Sequence, residues 1–128
     1  MKLLLDTHII IWSVSTPDRL SEKTQQYIMD AETLYISAAS IWEISIKIQL
    51  GKLELDLPAF IREIENLGIH SLPISWQHAQ GTKELPLYHK DPFDRMLIAQ
   101  AIHEPLTLLT NDLELSQYSA LVKHTDSL

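Results

Sequence analysis

Four carboxylates stand in segments that are otherwise apolar, where a charged side chain is costly to bury. They are Asp6, Glu43, Asp94 and Asp112. An ionised carboxylate beside a hydrophobic core destabilises the fold unless a cation or strong hydrogen bonds compensate its charge. Carboxylate oxygens are also the ligands that Mg²⁺ and similar ions prefer. The pattern therefore indicates that the four acids converge on a divalent metal ion.

Each acid also has a structural interpretation that needs no metal, and the sequence does not decide between the structural and the metal-binding role. Asp6 can cap the helix that follows it, and Asp112 can form an Asx turn. Asp94 can pair with Arg95 or complement the dipole of its helix. Glu43 is the hardest to explain structurally, because it is the only acid on a mostly apolar helix.

Other motifs that carry chemistry are missing from the sequence. There is no cysteine, which excludes disulfides, thiolate zinc sites and a cysteine nucleophile. The six histidines show no metal-ligand spacing, so we do not expect a zinc site. His89 is interpreted as a loop residue, with contact to substrate as the alternative. Neither GxxxxGK[ST], GxGxxG nor GxSxG occurs, which argues against nucleotide-binding loops and a serine nucleophile.

Composition and charge narrow the class of protein. With 128 residues, 45% of them apolar, residues 1–128 fit one globular domain. No apolar run approaches the ~20 residues that span a bilayer, and no signal peptide is recognised, so we expect a cytoplasmic protein. The net charge of −7 argues against a general nucleic-acid binder. That objection weakens if several acids hold metal ions.

Short apolar strands alternate with helices along the chain, which predicts a parallel sheet covered by helices on both faces. Strands are predicted at residues 2–5, 34–36, 69–74, 106–109 and 120–123. Helices are predicted at residues 8–14, 22–30, 38–50, 58–67, 76–84, 92–103 and 112–117. Pro73 makes the third strand an edge or short strand. The fold class is α/β, with three layers.

Capping and breaking residues mark the ends of these helices. N-caps are expected at Ser21, Ser37, Ser75 and Asp91. Proline is expected at the first helical position at Pro58 and Pro92, and glycine ends helices at Gly51 and Gly68. For Asp91, capping is favoured over metal ligation. The tryptophans are expected in the core, at Trp12, Trp42 and Trp76.

The predicted topology allows the acids to meet. In open parallel sheets, sites form beyond the carboxyl ends of the strands, near the point where the strand order reverses. Asp6 and Asp112 each stand just past a predicted strand. Asp94 lies in the first turn of its helix, where free N–H groups favour an anion. Glu43 lies further along its helix, and its longer side chain can reach inward.

Four sequence blocks, in order and together covering the chain, resemble the PIN domain family. They are Leu4–His8, Ser40–Ile44, His89–Ala101 and Leu108–Asp112. The third block is the most specific of the four. Within the family, the chain resembles VapC-type toxins of toxin–antitoxin pairs. The resemblance implies a PIN-like three-layer α/β domain with a short central parallel sheet.

The resemblance also implies an activity, endonucleolytic cleavage of RNA that depends on Mg²⁺ or Mn²⁺. The catalytic, metal-binding acids of the family fall on the four carboxylates named above. The small hydroxyl residue of the family near the last acid matches Thr110, and Thr7 stands beside the first acid. Asp91 and Arg95 are further supporting candidates, with Arg95 expected either to anchor acidic or phosphate groups near the site or to form a structural salt bridge. His8 stands where many relatives have Ser or Asn. Relatives form homodimers and are neutralised by a cognate antitoxin protein. The lysines expected to contact RNA are Lys47, Lys52 and Lys90, with Lys83 as a further candidate.

Two other classes of function remain. One is a PIN-like module that binds RNA or protein without catalysis. The other is a phosphoacceptor signalling domain, which gathers acids at the same edge of a parallel sheet. That class has paired acids after its first strand and a late lysine, whereas Asp6 is followed by Thr7 and His8, and no lysine stands on the strand before Asp112.

Overall fold

Five parallel strands form the centre of the structure, a computed structural model that describes residues 1–128. The strands are β1 (Lys2–Leu5), β2 (Thr33–Ser37), β3 (His70–Leu72), β4 (Thr107–Thr110) and β5 (Val122–His124). The helices are α1 (Thr7–Ser15), α2 (Glu22–Met29), α3 (Ala38–Gln49), α4 (Leu57–Asn66), α5 (Trp76–Gly81) and α6 (Pro92–His103). Short 3₁₀ turns occupy Pro17–Arg19, Thr82–Glu84, Leu113–Gln117 and Thr125–Ser127.

The strand order places the first and fourth strands side by side. The order is β3-β2-β1-β4-β5, and every neighbouring pair is parallel. The chain moves outward from β1 through β2 to β3, and then returns to the other side of β1. The order therefore reverses between β1 and β4, which is where open α/β sheets form their sites. The predicted parallel α/β fold is confirmed.

Alternating side chains of the central strands build a separate core on each face of the sheet. Leu3 and Leu5 pack into one cluster with α1, α3 and α4, and Leu4 packs into the other with α6. Leu109 and Leu108 of β4 divide between the two clusters in the same way. Continuous apolar strands are needed because both faces of this sheet are covered.

The helix signals in the sequence are confirmed at most positions. The side chains of Ser21, Ser37, Ser75 and Asp91 each accept a hydrogen bond from the first turn of the following helix. Gly51 and Gly68 have φ of 72° and 74°, and both follow a helix end as glycine does in a Schellman motif. No helix combines the length and the apolar composition that crossing a bilayer requires.

Several boundaries differ from the predictions. Pro58 occupies the second helical position, because Asp56 caps the helix and α4 begins at Leu57. The helix predicted to run to Glu84 ends as an α-helix at Gly81 and continues as a 3₁₀ turn. β3 is a short edge strand, as Pro73 predicted.

The prediction that the tryptophans lie in the core is wrong for two of the three. Trp42 is 61% exposed and Trp76 is 90% exposed, while Trp12 is half-buried against the α1 side of the core. Trp76 lies in the first turn of α5, and Trp42 contacts Phe93 edge-on at a centroid distance of 5.1 Å. Aromatic side chains favour burial, but whether a tryptophan is buried depends on which face of its helix it occupies.

Candidate metal centre

Asp6 lies directly beyond the end of β1 and is held from two sides. Its side chain is buried, at 3% exposure. The backbone N–H of Thr7 donates to Oδ1 at 2.7 Å, and the hydroxyl of Thr110 donates to Oδ2 at 2.6 Å. The hydroxyl of Thr7 donates to Oγ of buried Ser40 at 2.9 Å. Asp6 therefore caps α1, which is the structural role that the sequence allowed for it. The hydrogen bond from Thr110 also fixes its side chain toward β4.

Burial raises the pKa of Asp6 above its ordinary value, and the negative charge of Glu43 raises it further. The hydrogen bonds from Thr110 and Thr7 and the charge of His8 act in the opposite direction and do not cancel the effect. The site thus holds a carboxylate whose charge the protein alone does not fully compensate.

Thr110 links Asp6 to Asp112. Its hydroxyl oxygen accepts from the backbone N–H of Asp112 at 3.1 Å while its hydrogen goes to Asp6. Oδ1 of Asp112 in turn accepts from the N–H of Glu114 at 3.0 Å, which caps the 3₁₀ turn. The Asx-type role predicted for Asp112 therefore occurs, and Oδ2 has no hydrogen-bond partner.

Asp94 extends from the first turn of α6 and contacts a histidine rather than Arg95. Its Oδ2 lies 2.8 Å from Nε2 of His89. Burial raises the pKa of Asp94 to about 7, and the negative charges of Asp6, Asp91 and Glu43 add to the effect against the opposing hydrogen bond from His89.

The same acids favour the charged form of His89. Burial acts to lower its pKa, but the hydrogen bond to Asp94 and the charges of Asp94, Asp112 and Glu114 outweigh burial and raise the pKa. The charges of Asp6 and Glu43 act on Asp94, and the charge of Asp112 acts on His89, so these acids lie within electrostatic range of the Asp94–His89 pair. Of the four acids, Asp94 and Asp112 form a close group with His89, whose ligand atoms lie within 4.8 Å of one another, and Asp6 and Glu43 are not members of that group.

Glu43 approaches these acids from the middle of α3. It is 8% exposed, and its Oε2 lies 3.1 Å from Nζ of Lys47, one helical turn later. Glu43 therefore has a structural partner that was not evident from the apolar character of its helix. Lys47 satisfies one oxygen and stands at the margin of the acidic region, while Oε1 makes no hydrogen bond or ion pair.

Asp91 is placed as a cap. Its Oδ1 accepts from the N–H groups of Phe93 and Asp94, at 2.8 and 3.2 Å. Of the remaining lysines expected to contact RNA, Lys90 is exposed immediately before Asp91. Lys52 is exposed after α3, and Lys83 is exposed in the turn that follows α5.

Arg95 contacts no carboxylate, so neither the expected anchoring of an acidic group nor the alternative of a structural salt bridge occurs. Its guanidinium donates to four backbone carbonyls and one hydroxyl, those of Thr82, Leu85, Pro86, His89 and Tyr118. These acceptors belong to the loop that precedes α6 and to the end of the Leu113–Gln117 turn. Arg95 therefore fixes the loop that carries His89.

Replacing Arg95 with Ala is expected to lower the free energy of unfolding by about 2 to 3 kcal/mol, because the carbonyls it satisfies lose their donors. The change is measured by urea denaturation. Arg62→Ala on the exposed surface of α4 is the matched control, since Arg62 makes no hydrogen bond or ion pair. Equal effects of the two substitutions would contradict the role assigned to Arg95.

Three polar residues of the site were not predicted from the sequence. Ser40 accepts from Thr7, His89 contacts Asp94, and Glu114 contacts His89. The only sequence signal for His89 was its position five residues before Asp94. Glu114 carried none, because an exposed acid in a short turn is common. Their placement depends on how β4, α3 and α6 pack together.

The donor set fits a divalent cation. Ligand atoms of His89, Asp94 and Asp112 all lie within 4.8 Å of one another. Asp6 and Glu43 add hard oxygen donors to a region in which the pKa values of Asp6 and Asp94 are raised. A doubly charged ion would supply the missing compensation.

Comparison with known proteins agrees with this geometry. The family model for the PIN domain matches residues 3–121. Ribonuclease VapC22 of Mycobacterium tuberculosis is 29% identical over 119 residues, which cover 91% of each chain.

Solved structures share the fold. The crystal structure of VapBC2 from Rickettsia felis, bound to a DNA fragment from its promoter, matches with a TM-score of 0.68 at 15% identity, covering 92% of this chain and 93% of that one. DNA-bound VapBC from Salmonella typhimurium matches with a TM-score of 0.68 at 18% identity, covering 97% and 96%. FitAcB from Neisseria gonorrhoeae matches with a TM-score of 0.61 at 19% identity, covering 88% and 89%. With the family model spanning nearly all of the sequence and an acidic cluster at the switch point of the sheet, the chain belongs to the PIN domain family.

Proposed function

We propose that this protein is a metal-dependent endoribonuclease that acts as a VapC-type toxin. The observation that carries the proposal is the gathering of acids from four separate elements around Asp6 and Asp94, whose raised pKa values mark uncompensated negative charge. Membership of the PIN domain family and similarity to a protein named as a ribonuclease support it.

Four acids would hold the metal. Asp6 and Asp94 are the proposed direct ligands, with Asp112 and Glu43 holding a second ion or orienting water. A bound Mg²⁺ or Mn²⁺ supplies Lewis-acid stabilisation of phosphate charge and lowers the pKa of water. Hydrolysis on this pattern leaves 5′-phosphate and 3′-hydroxyl ends.

The surrounding residues position these ligands and meet the substrate. Thr110 and Thr7 fix the two oxygens of Asp6, so the carboxylate does not have to reorganise when it binds an ion. Lys47 and Lys90 stand near the acids and are proposed to attract the RNA backbone, with Lys52 further along. These few bases offset the repulsion between a chain of net charge −7 and RNA.

The proposed partners are a cognate antitoxin protein and a second copy of the chain, in the cytoplasm. The solved structures with the same fold include VapBC assemblies, which supports a protein partner for this chain. Binding of an antitoxin near the acidic region would block access of RNA to it.

The proposal is tested by sequencing RNA ends after brief expression of the wild type beside Asp94→Asn. We expect new 5′-phosphate ends at defined positions with the wild type, and their loss in the variant. If both proteins yield the same RNA ends as an empty vector, the non-catalytic binding module is the better interpretation. Labelling by acetyl phosphate would instead favour the phosphoacceptor class.

A further inference from the structure

His89 occupies a position that an acid-only metal site does not explain. Its Nε2 lies 2.8 Å from Oδ2 of Asp94, and its ring belongs to the group with Asp94 and Asp112 whose ligand atoms lie within 4.8 Å. Ligands at neighbouring corners of an octahedron with bonds of about 2.1 Å lie about 3.0 Å apart, and those at opposite corners about 4.2 Å. The spacing of the three residues thus fits ligands of one ion with small adjustments.

The second ring nitrogen of His89 faces another carboxylate. Nδ1 lies 3.3 Å from Oε2 of Glu114. A histidine that binds a metal almost always donates its other ring N–H to a carboxylate, a carbonyl or water, which fixes the tautomer and directs the free nitrogen at the ion. Glu114 stands in that relation to His89, and its own N–H is bound by Asp112.

The backbone of His89 is fixed as firmly as its ring. Its N–H donates to the hydroxyl of Tyr118 at 2.7 Å, and its carbonyl accepts from Arg95 at 3.2 Å. The side chain is 22% exposed, so solvent and ions can reach it. A loop that is held in this way can present a ligand with little loss of conformational entropy on binding.

A buried histidine elsewhere in the chain has the opposite arrangement. His78 also contacts a carboxylate, that of Glu104, but its Nδ1 accepts from the N–H of Ser75 at 3.0 Å. With Nδ1 used as an acceptor, the neutral ring carries its hydrogen on Nε2, which leaves no lone pair for a metal. His78 is therefore a capping residue. Nε2 of His89 contacts Asp94, but its Nδ1 accepts no backbone N–H, so the ring hydrogen can reside on Nδ1 beside Glu114 and leave Nε2 free for an ion.

We propose that Nε2 of His89 is a ligand of an ion shared by Asp94 and Asp112, which makes Asp112 a direct ligand of the ion that Asp94 holds, and that Glu114 is the residue that positions His89. This inference rests on the proposed metal-dependent function of the same site. Mg²⁺ takes oxygen ligands, whereas an imidazole nitrogen favours first-row transition ions. The mixed donor set therefore selects Mn²⁺ over Mg²⁺.

Pulsed electron paramagnetic resonance of the Mn²⁺-loaded full chain tests the ligand directly. We expect the wild type to show a coupling from a coordinated ¹⁴N nucleus, and His89→Gln to lack it. His70→Gln, which replaces an exposed histidine on β3 that belongs to no metal-capable cluster, is the matched control and keeps the signal. Absence of ¹⁴N coupling in Mn²⁺-loaded wild type would overturn the proposal and leave the nuclease proposal standing.

Calorimetric titration with Mn²⁺ and with Mg²⁺ tests the selectivity. We expect His89→Gln to weaken Mn²⁺ binding by about 10-fold or more and Mg²⁺ binding much less, with Glu114→Gln weakening Mn²⁺ binding by about 10-fold. Unchanged Mn²⁺ to Mg²⁺ ratios in both variants would overturn the inference. Failure of the wild type to bind either ion would overturn the metal-dependent function as well, so the two failures are distinguishable.

Discussion

Replacing Asp6 with Asn is expected to reduce metal-dependent RNA cleavage by roughly 100-fold or more, which corresponds to several kcal/mol of transition-state stabilisation. The physical reason is the loss of one negative charge at the most buried acid of the site. The measurement is the initial rate of cleavage by purified protein at saturating Mn²⁺ or Mg²⁺, together with the affinity for the ion.

The fold is expected to survive this substitution. The amide oxygen can still accept from the N–H of Thr7, and the hydroxyl of Thr110 can rotate to accept from the amide nitrogen. Asp30→Asn is the matched control, because it removes the same charge from an exposed residue at the end of α2. Cleavage by Asp6→Asn at the parental rate, with a normal circular dichroism spectrum, would refute the ligand assignment.

Replacing Asp94 with Asn is expected to stabilise the metal-free protein at high pH and to remove most of its stabilisation by metal. Asp94 has a pKa of about 7 in the folded protein against 3.8 as its ordinary value. A group whose pKa is raised by folding contributes stability that is complete below the unfolded pKa and is lost as the pH rises through the folded pKa. The wild type therefore loses stability between about pH 4 and 7, and Asn at this position does not.

The measurement is the melting temperature in EDTA at pH 5 and pH 8, repeated with excess Mn²⁺. In EDTA, the melting temperature of Asp94→Asn relative to wild type should be several degrees higher at pH 8 than at pH 5. With Mn²⁺ at pH 8 the order should reverse, because the ion binds the folded wild type. If Asp94→Asn melts lower than the wild type in EDTA at pH 8, Asp94 is chiefly a structural partner of His89.

Much of the fold follows from local patterns in the sequence. The caps at Ser21, Ser37 and Ser75 were predictable because a side-chain oxygen that accepts from the first turn acts within three residues. The apolar runs at residues 2–5 and 106–109 predicted buried parallel strands for a similarly local reason, since both faces of such strands are covered.

Side-chain contacts were less predictable because they depend on packing between distant elements. Trp42 and Trp76 were expected in the core and are exposed, since the hydrophobicity of a residue does not state which helix face meets the sheet. Arg95 was expected beside an acid and instead binds loop carbonyls, which no pattern near residue 95 indicates. The ion pair between Glu43 and Lys47 is an exception, because it joins residues one helical turn apart and was therefore visible in the sequence.

The sequence by itself determined the kinds of element, their order and the family to which the chain belongs, because hydrophobic period, caps and motif residues are local properties. It also placed Asp6 and Asp112 at strand ends. Only the tertiary structure decided that β1 and β4 are neighbours, so that Thr110 joins acids far apart in the chain, and that His89 stands between Asp94 and Glu114. Strand order and loop position are set by how the two helical layers cover the sheet, and that packing has no short-range signature.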